Sequence, residues 1–260
     1  MNSKSDFQPL SFSGSEAVGY LKNNLLPYFE KSGLDPYLTE DWKKGIFQLF
    51  GIRITGFPDL DKKNYILLSN HISDFDAIIL GLLHPKIKII AKIDWANNGE
   101  LMAFLRLHNY DIVGIYRDFE IAGLEDEDKK KSAKGHNIKV NMECCRHLKD
   151  TSEAHHLLIF PQGTISDINK NSKERINPSF AKIAAATNAS IINIFTEYPG
   201  AGGDTRIAGG EPYIIAGNGP DYRQAWLDDM IKLQNRLDNV RSPVLSEKHS
   251  KNNNPSEPFF

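Results

Sequence analysis

The sequence predicts an α/β protein, a three-layer α/β/α domain with a mostly parallel central sheet and N-terminal helices. Two observations carry this. Short apolar runs of strand length recur at Tyr65–Leu68, Ile87–Ala91, His156–Phe160 and Ser190–Phe195, as strands buried on both faces do. Between them lie stretches whose apolar residues are spaced for helices, the connections that parallel strands need. With no internal repeat and no dividing linker, residues 14–241 read as one domain. Residues 1–13 and 242–260 are polar and read as disordered ends.

In chain order, Ser15 is placed to cap a helix carrying Val18, Leu21 and Leu25 on one face, and Pro27 should end or kink it. Thr39-Glu40-Asp41 opens a second helix with Trp42, Ile46, Leu49 and Phe50 on one side and Lys43 and Lys44 beside them. Two readings fit residues 14–50: helices packed on the core, or an interfacial element with Trp and Phe in lipid and Lys near head groups. Ile52–Phe57 reads as the first strand, Tyr65–Leu68 as the second, Phe75–Leu83 as an apolar helix and Ile87–Ala91 as a strand. Trp95–Leu107 reads as a helix and Tyr110–Tyr116 as a strand. Residues 118–136, with Glu125-Asp126-Glu127-Asp128 before Lys129-Lys130-Lys131, show no core pattern and read as a solvated loop or helix end; the lysines could also touch anionic lipid. Ile138–Leu148 is a helix, His156–Phe160 a strand, and Pro178 starts a helix reaching Thr187. Ser190–Phe195 is a strand, Tyr213–Ala216 the last, and Pro220 opens a final helix with Trp226, Met230, Leu233 and Leu237 on one face. Gly200-Ala201-Gly202-Gly203 lacks the spacing of a nucleotide-binding loop and reads as a connector.

Composition excludes several functions. With 31 basic and 33 acidic residues, the net charge of −2 does not fit a nucleic-acid binder. The two cysteines, Cys144 and Cys145, are neighbours on a helix and poor disulfide partners, which points to a reducing compartment. No Cys/His/acid cluster has zinc spacing, and the adjacent His155-His156 read as structural. Residues 1–20 lack the basic start and apolar core of a signal peptide. No run reaches the roughly 18 apolar residues of a spanning helix. A lipid substrate would therefore be met from the membrane surface.

The chemistry concentrates where Tyr65–Leu68 runs into Ser69-Asn70-His71-Ile72-Ser73-Asp74 and then a helix, the end of a strand where α/β folds place their sites. Five residues after His71 comes Asp76. Across a tight turn, that carboxylate can hold one ring nitrogen while the other takes a proton. The same residues also fit a helix cap and a solvated first-turn acid. No GxSxG elbow is present to supply a serine nucleophile.

Asn70-His71 followed by four residues and Asp76, with Val113-Gly114-Ile115-Tyr116-Arg117 and then Phe160-Pro161-Gln162-Gly163-Thr164 downstream, resembles the glycerolipid acyltransferase family, whose best-known members are lysophosphatidic acid acyltransferases. The resemblance covers roughly 52–196. It implies acyl transfer from an acyl thioester, acyl-CoA or acyl carrier protein, to a lysolipid hydroxyl such as that of 1-acyl-glycerol-3-phosphate, in phospholipid biosynthesis. His71 would be the base and Asp76 its orienter. Backbone N–H groups around Gly163 and Thr164 would serve the oxyanion. Arg117 and Gln162 would face the acceptor, with Asn70 and Ser73 shaping the turn on that side. No metal or cofactor beyond the acyl carrier is implied, and a cytoplasmic, peripheral place on the inner face of a membrane is. Two departures bear on the acceptor. Gln162 stands where the family usually has glutamate, and Ile165 where it often has an arginine after the threonine. Another lysolipid or aminolipid acceptor therefore stays open, as do a non-catalytic lipid-binding protein and a thioester hydrolase.

Overall fold

The computed structural model describes residues 14–163, 176–177, 179–198, 204–214 and 222–239. Its centre is a seven-stranded sheet: β1 (Arg53–Thr55), β2 (Tyr65–Ser69), β3 (Ile87–Lys92), β4 (Asp111–Ile115), β5 (His156–Ile159), β6 (Ser190–Glu197) and β7 (Arg206–Gly209). The order is β1-β7-β6-β2-β5-β3-β4. From β6 to β4 every neighbour is parallel; β7 turns antiparallel to β6 and pairs parallel with β1. This is the mostly parallel α/β fold the apolar runs predict.

Side chains alternate across the strands, so one apolar run feeds two cores. Tyr65, Leu67, Leu158, Ile192 and Ile194 pack into one. Ile66, Leu68, Leu157, Ile191 and Phe195 pack into the other. The first core is covered by α1 (Gly14–Tyr20), α2 (Leu26–Ser32), α3 (Thr39–Phe50), α4 (Phe75–Gly81), α5 (Ile93–Asn97) and α6 (Gly99–Leu107). After α7 (Asp118–Ala122), the second is covered by α8 (Glu127–Lys149), α9 (Ser179–Thr187) and α10 (Tyr222–Asn239). Three layers result.

Several elements differ from the sequence reading. Pro27 does not end the first helix. A π-helical turn, Leu21–Leu25, links α1 to α2, and Pro27 sits in the first turn of α2. The wider turn absorbs the missing N–H and the ring's clash with the preceding turn. The helix expected over Trp95–Leu107 breaks at extended Asn98, whose side chain accepts the Leu101 N–H at 2.9 Å and caps α6. The solvated stretch 118–136 is largely helical. Asp126 caps α8 by accepting from Asp128 and Lys129, and the acidic-then-basic run becomes that helix's exposed first turns. β7 was unforeseen, and Tyr213 makes only an isolated bridge to Ile191. The Gly200–Gly203 connector, Pro178, Pro220 and both ends of the chain lie outside the described residues.

Trp42 decides between the two readings of α3 for its own side chain. It is fully buried, stacked on Phe29 and His108 at 5.2 and 4.6 Å, and its indole donates to the Tyr110 hydroxyl at 3.2 Å. Ile46 and Phe50 are buried beside it. This face packs on the core. Trp42→Ala should therefore lower the unfolding free energy by about 3–5 kcal/mol, read by denaturant titration.

Two buried histidines make stability depend on pH. His156 lies stacked on Tyr65, and burial pushes its imidazole down to about 3. His108, under Trp42, is pushed by burial to about 4. Both fold neutral, so the unfolded chain binds more protons between about pH 4 and the ordinary histidine range near 6.5. Stability is full above pH 6.5 and falls below it, by about 1.4 kcal/mol per pH unit for each histidine. Denaturation midpoints measured from pH 7 to 5 should decline, and His108→Phe should flatten the decline. Cys144 is buried in the second core, its thiol pushed up by burial to about 12, and acts as a small apolar residue.

Candidate active site

β2 lies between β5 and β6, with Leu68 opposite Ile159 and Ser69 opposite Ile194. Because the three strands are parallel, the loops leaving their carboxyl ends meet. These loops carry 70–74, 160–163 and Tyr198, which directly follows the strand-end residues Thr196 and Glu197 of β6.

Asp76 organises the cluster. It is fully buried on the first turn of α4. Its Oδ2 accepts the backbone N–H groups of Ile72 at 2.8 Å and Ser73 at 2.9 Å, and it faces His71 Nδ1 at 3.1 Å. Its Oδ1 accepts the Tyr198 hydroxyl at 2.7 Å. The loop thus wraps around a carboxylate that could not otherwise be buried at tolerable cost. An acceptor-only carboxylate at Nδ1 puts the ring proton there and leaves Nε2 with its lone pair. Among the described residues Nε2 has no hydrogen-bond partner; Asp74 Oδ1 lies 3.8 Å away, too long for one. The ring is mostly covered, with 14% of the side chain exposed, and packs tilted on Phe160 at 4.4 Å. The helix-cap reading of His71 fails, since its imidazole pairs with a side chain and the Asp76 carboxylate holds the loop.

The neighbouring loops hold this one. Asn70 is buried, donates to the Thr196 carbonyl at 2.8 Å and accepts the Thr196 N–H at 2.7 Å. Gln162 Oε1 accepts the His71 N–H at 2.6 Å, a bond that the amide still makes where the family usually has glutamate. Ser73, also buried, caps Phe75 N–H with its hydroxyl at 3.2 Å. The Asn70 amide and Gln162 Oε1, the latter expected to face an acceptor, thus bond to backbone and fix the loop. Of the backbone N–H groups around Gly163 and Thr164 expected to serve the oxyanion, that of Gly163 is already engaged. Its N–H closes a turn to the Phe160 carbonyl at 2.9 Å, and its φ of 68° suits glycine. Thr164 and Ile165 lie outside the described residues.

Arg117 follows β4, three strands from β2, or roughly 14 Å across the sheet at ordinary strand spacing. Its Nε donates to Glu120 Oε1 at 2.7 Å, Nη2 reaches the same oxygen, and its N–H meets Glu120 Oε2 at 2.8 Å. The guanidinium also lies over Phe119 at 4.5 Å. Burial would raise the Glu120 carboxyl, but the hydrogen bonds and charge of Arg117 outweigh it and hold the group below the ordinary range. Sequence reasoning missed this pairing, although an arginine three residues before a glutamate at a helix start is a visible local charge pair. It also missed Tyr198, which no local pattern marks.

A carboxylate-steered histidine at the carboxyl end of a central parallel strand, with no nucleophile bonded to it among the described residues, is the layout of a base acting on a substrate hydroxyl, as in acyltransferases. A family model described as Acyltransferase matches residues 51–196, more than half of the 260 residues. The chain belongs to this family and is an acyltransferase. The solved structure of the 1-acyl-sn-glycerophosphate (LPA) acyltransferase PlsC from Thermotoga maritima is similar, with a TM-score of 0.51, 17% identity and 79% of each chain covered. At that identity the likeness speaks for the fold alone. No curated protein matches the chain.

Proposed function

We propose that the protein moves a fatty acyl group from acyl-CoA or acyl carrier protein to the hydroxyl of a lysolipid such as 1-acyl-glycerol-3-phosphate, in phospholipid biosynthesis. The observation that carries this reading is the Asp76 carboxylate at 3.1 Å from His71 Nδ1, a pairing that favours the proton on Nδ1 and leaves Nε2 its lone pair. The lysolipid hydroxyl gives its proton to Nε2 as its oxygen attacks the thioester carbonyl. Asp76 stabilises the imidazolium formed. The tetrahedral intermediate collapses, the C–S bond breaks, and the thiolate leaves carrying the acyl carrier. Backbone near Thr164 remains the candidate for holding the oxyanion. The histidine then returns its proton to the thiolate or to solvent. No covalent acyl-enzyme is required.

Among the described residues no helix is long and apolar enough to cross a membrane. In this reading the enzyme meets its lipid at the cytoplasmic surface of a membrane.

A second acceptor class has its own support. Arg117, the residue proposed to hold the acceptor's anion, already shares its charge with Glu120, and Ile165 replaces a possible second clamp. A phosphate monoester would find only part of a cation there. A lysolipid or aminolipid with a zwitterionic head would fit the Arg117–Glu120 pair better. Purified protein, one long-chain acyl-CoA and a lysolipid panel, read by mass spectrometry, decide the matter. A two-chain product identifies the acceptor. Free fatty acid alone would mean hydrolysis, and no thioester consumption would mean lipid binding without catalysis.

A further inference from the structure

We propose that Tyr198 is a positioning residue: its hydroxyl fixes the Asp76 carboxylate and so sets the aim and basicity of His71. The inference rests on the acyl-transfer reading for its kinetic consequences, and on geometry for the rest. The two oxygens of Asp76 are served unequally. Oδ2 takes two backbone N–H groups and the imidazole, whereas among the described residues Oδ1 takes Tyr198 alone.

The bond to His71, at 3.1 Å, is the longest of the four. The other three therefore place the carboxylate, and the ring follows it. Of those three, the backbone pair can hold Oδ2 but cannot set the plane of the carboxylate. Tyr198, reaching from the other side, sets it. The tyrosine is itself well anchored. It leaves β6 two residues after Thr196, which is pinned both ways to Asn70, and its ring packs against the first core.

The phenol remains a donor at any working pH, since burial and then the Asp76 charge raise it well above the ordinary tyrosine range. The hydrogen bond also draws charge off the carboxylate. Around the pair, the titratable groups among the described residues include Asp74 from the same loop and Tyr198 from the loop after β6. The loop after β5 contributes neutral Phe160 and Gln162.

Tyr198→Phe deletes one oxygen and tests this. kcat should fall about 10-fold or more, as for loss of one charge-assisted hydrogen bond, with KM little changed. With more charge left on Asp76, the acid limb of the rate profile and the NMR titration of the His71 ring should both move up, by roughly 0.5–1 pH unit. In an Asp76→Asn background the same change should cost almost nothing, because the tyrosine acts through the carboxylate. A variant that loses only thermal stability, keeping kcat and the His71 titration, overturns the proposal. So does an equal kcat loss in both backgrounds. The NMR titration needs no substrate: if the wild-type protein transfers no acyl group, the functional reading fails while the titration still decides the role of Tyr198.

Discussion

His71→Ala should reduce acyl transfer by about 10²- to 10⁴-fold in kcat, the range a positioned general base supplies, while the fold survives. The imidazole takes part in no backbone contact; it packs on Phe160 and touches Asp76. Its removal should cost only about 1 kcal/mol of stability, because the loop is held by Asp76, Asn70 and Gln162 through other bonds. Thioester consumption by the folded variant, followed as thiol release, reads the effect. Turnover within a few-fold of wild type would remove His71 from the mechanism.

Asp76 should behave differently, since it serves both the chemistry and the loop. Asp76→Asn keeps an amide oxygen for the Ile72 and Ser73 N–H groups but loses the charge that stabilises the imidazolium. We expect a kcat loss of about 10²- to 10⁴-fold with a modest change in stability. Asp76→Ala leaves two backbone N–H groups and the Tyr198 hydroxyl buried without their acceptor. At about 1–3 kcal/mol for each orphaned group, this variant should lose several kcal/mol and unfold at much lower denaturant concentration. The contrast separates the two duties: if Asn and Ala destabilised equally, the backbone wrap around the carboxylate would not be what holds the loop.

The legible parts of the molecule are those where one local rule dominates. Tyr65–Leu68 reads as a buried strand because both its faces are covered, leaving no polar alternation to confuse it. His71 and Asp76 are readable as a pair because both lie on one turn. Tyr198 is not, because it meets Asp76 across 122 positions and only the adjacency of β2 and β6 brings it there. Asn70 and Gln162 were recognised as site residues, but their backbone partners were not legible, since spacing cannot say whether a polar atom faces a ligand or a backbone. The first turns of α8 carry little apolar signal, because Ala133 is the first of its buried residues. β7 has only four residues and pairs antiparallel on a sheet otherwise read as parallel. The Arg117–Glu120 pair was local and could have been found.

The central claim is that His71 activates the acceptor's hydroxyl directly, without the acyl group passing through the enzyme. Rapid-mixing measurement of thiol release from acyl-CoA, with and without a lysolipid acceptor, tests it. The account predicts release that depends on the acceptor and shows no burst before the acceptor is added. A burst of one thiol per enzyme in the absence of acceptor, the mark of an acyl-enzyme, would contradict it.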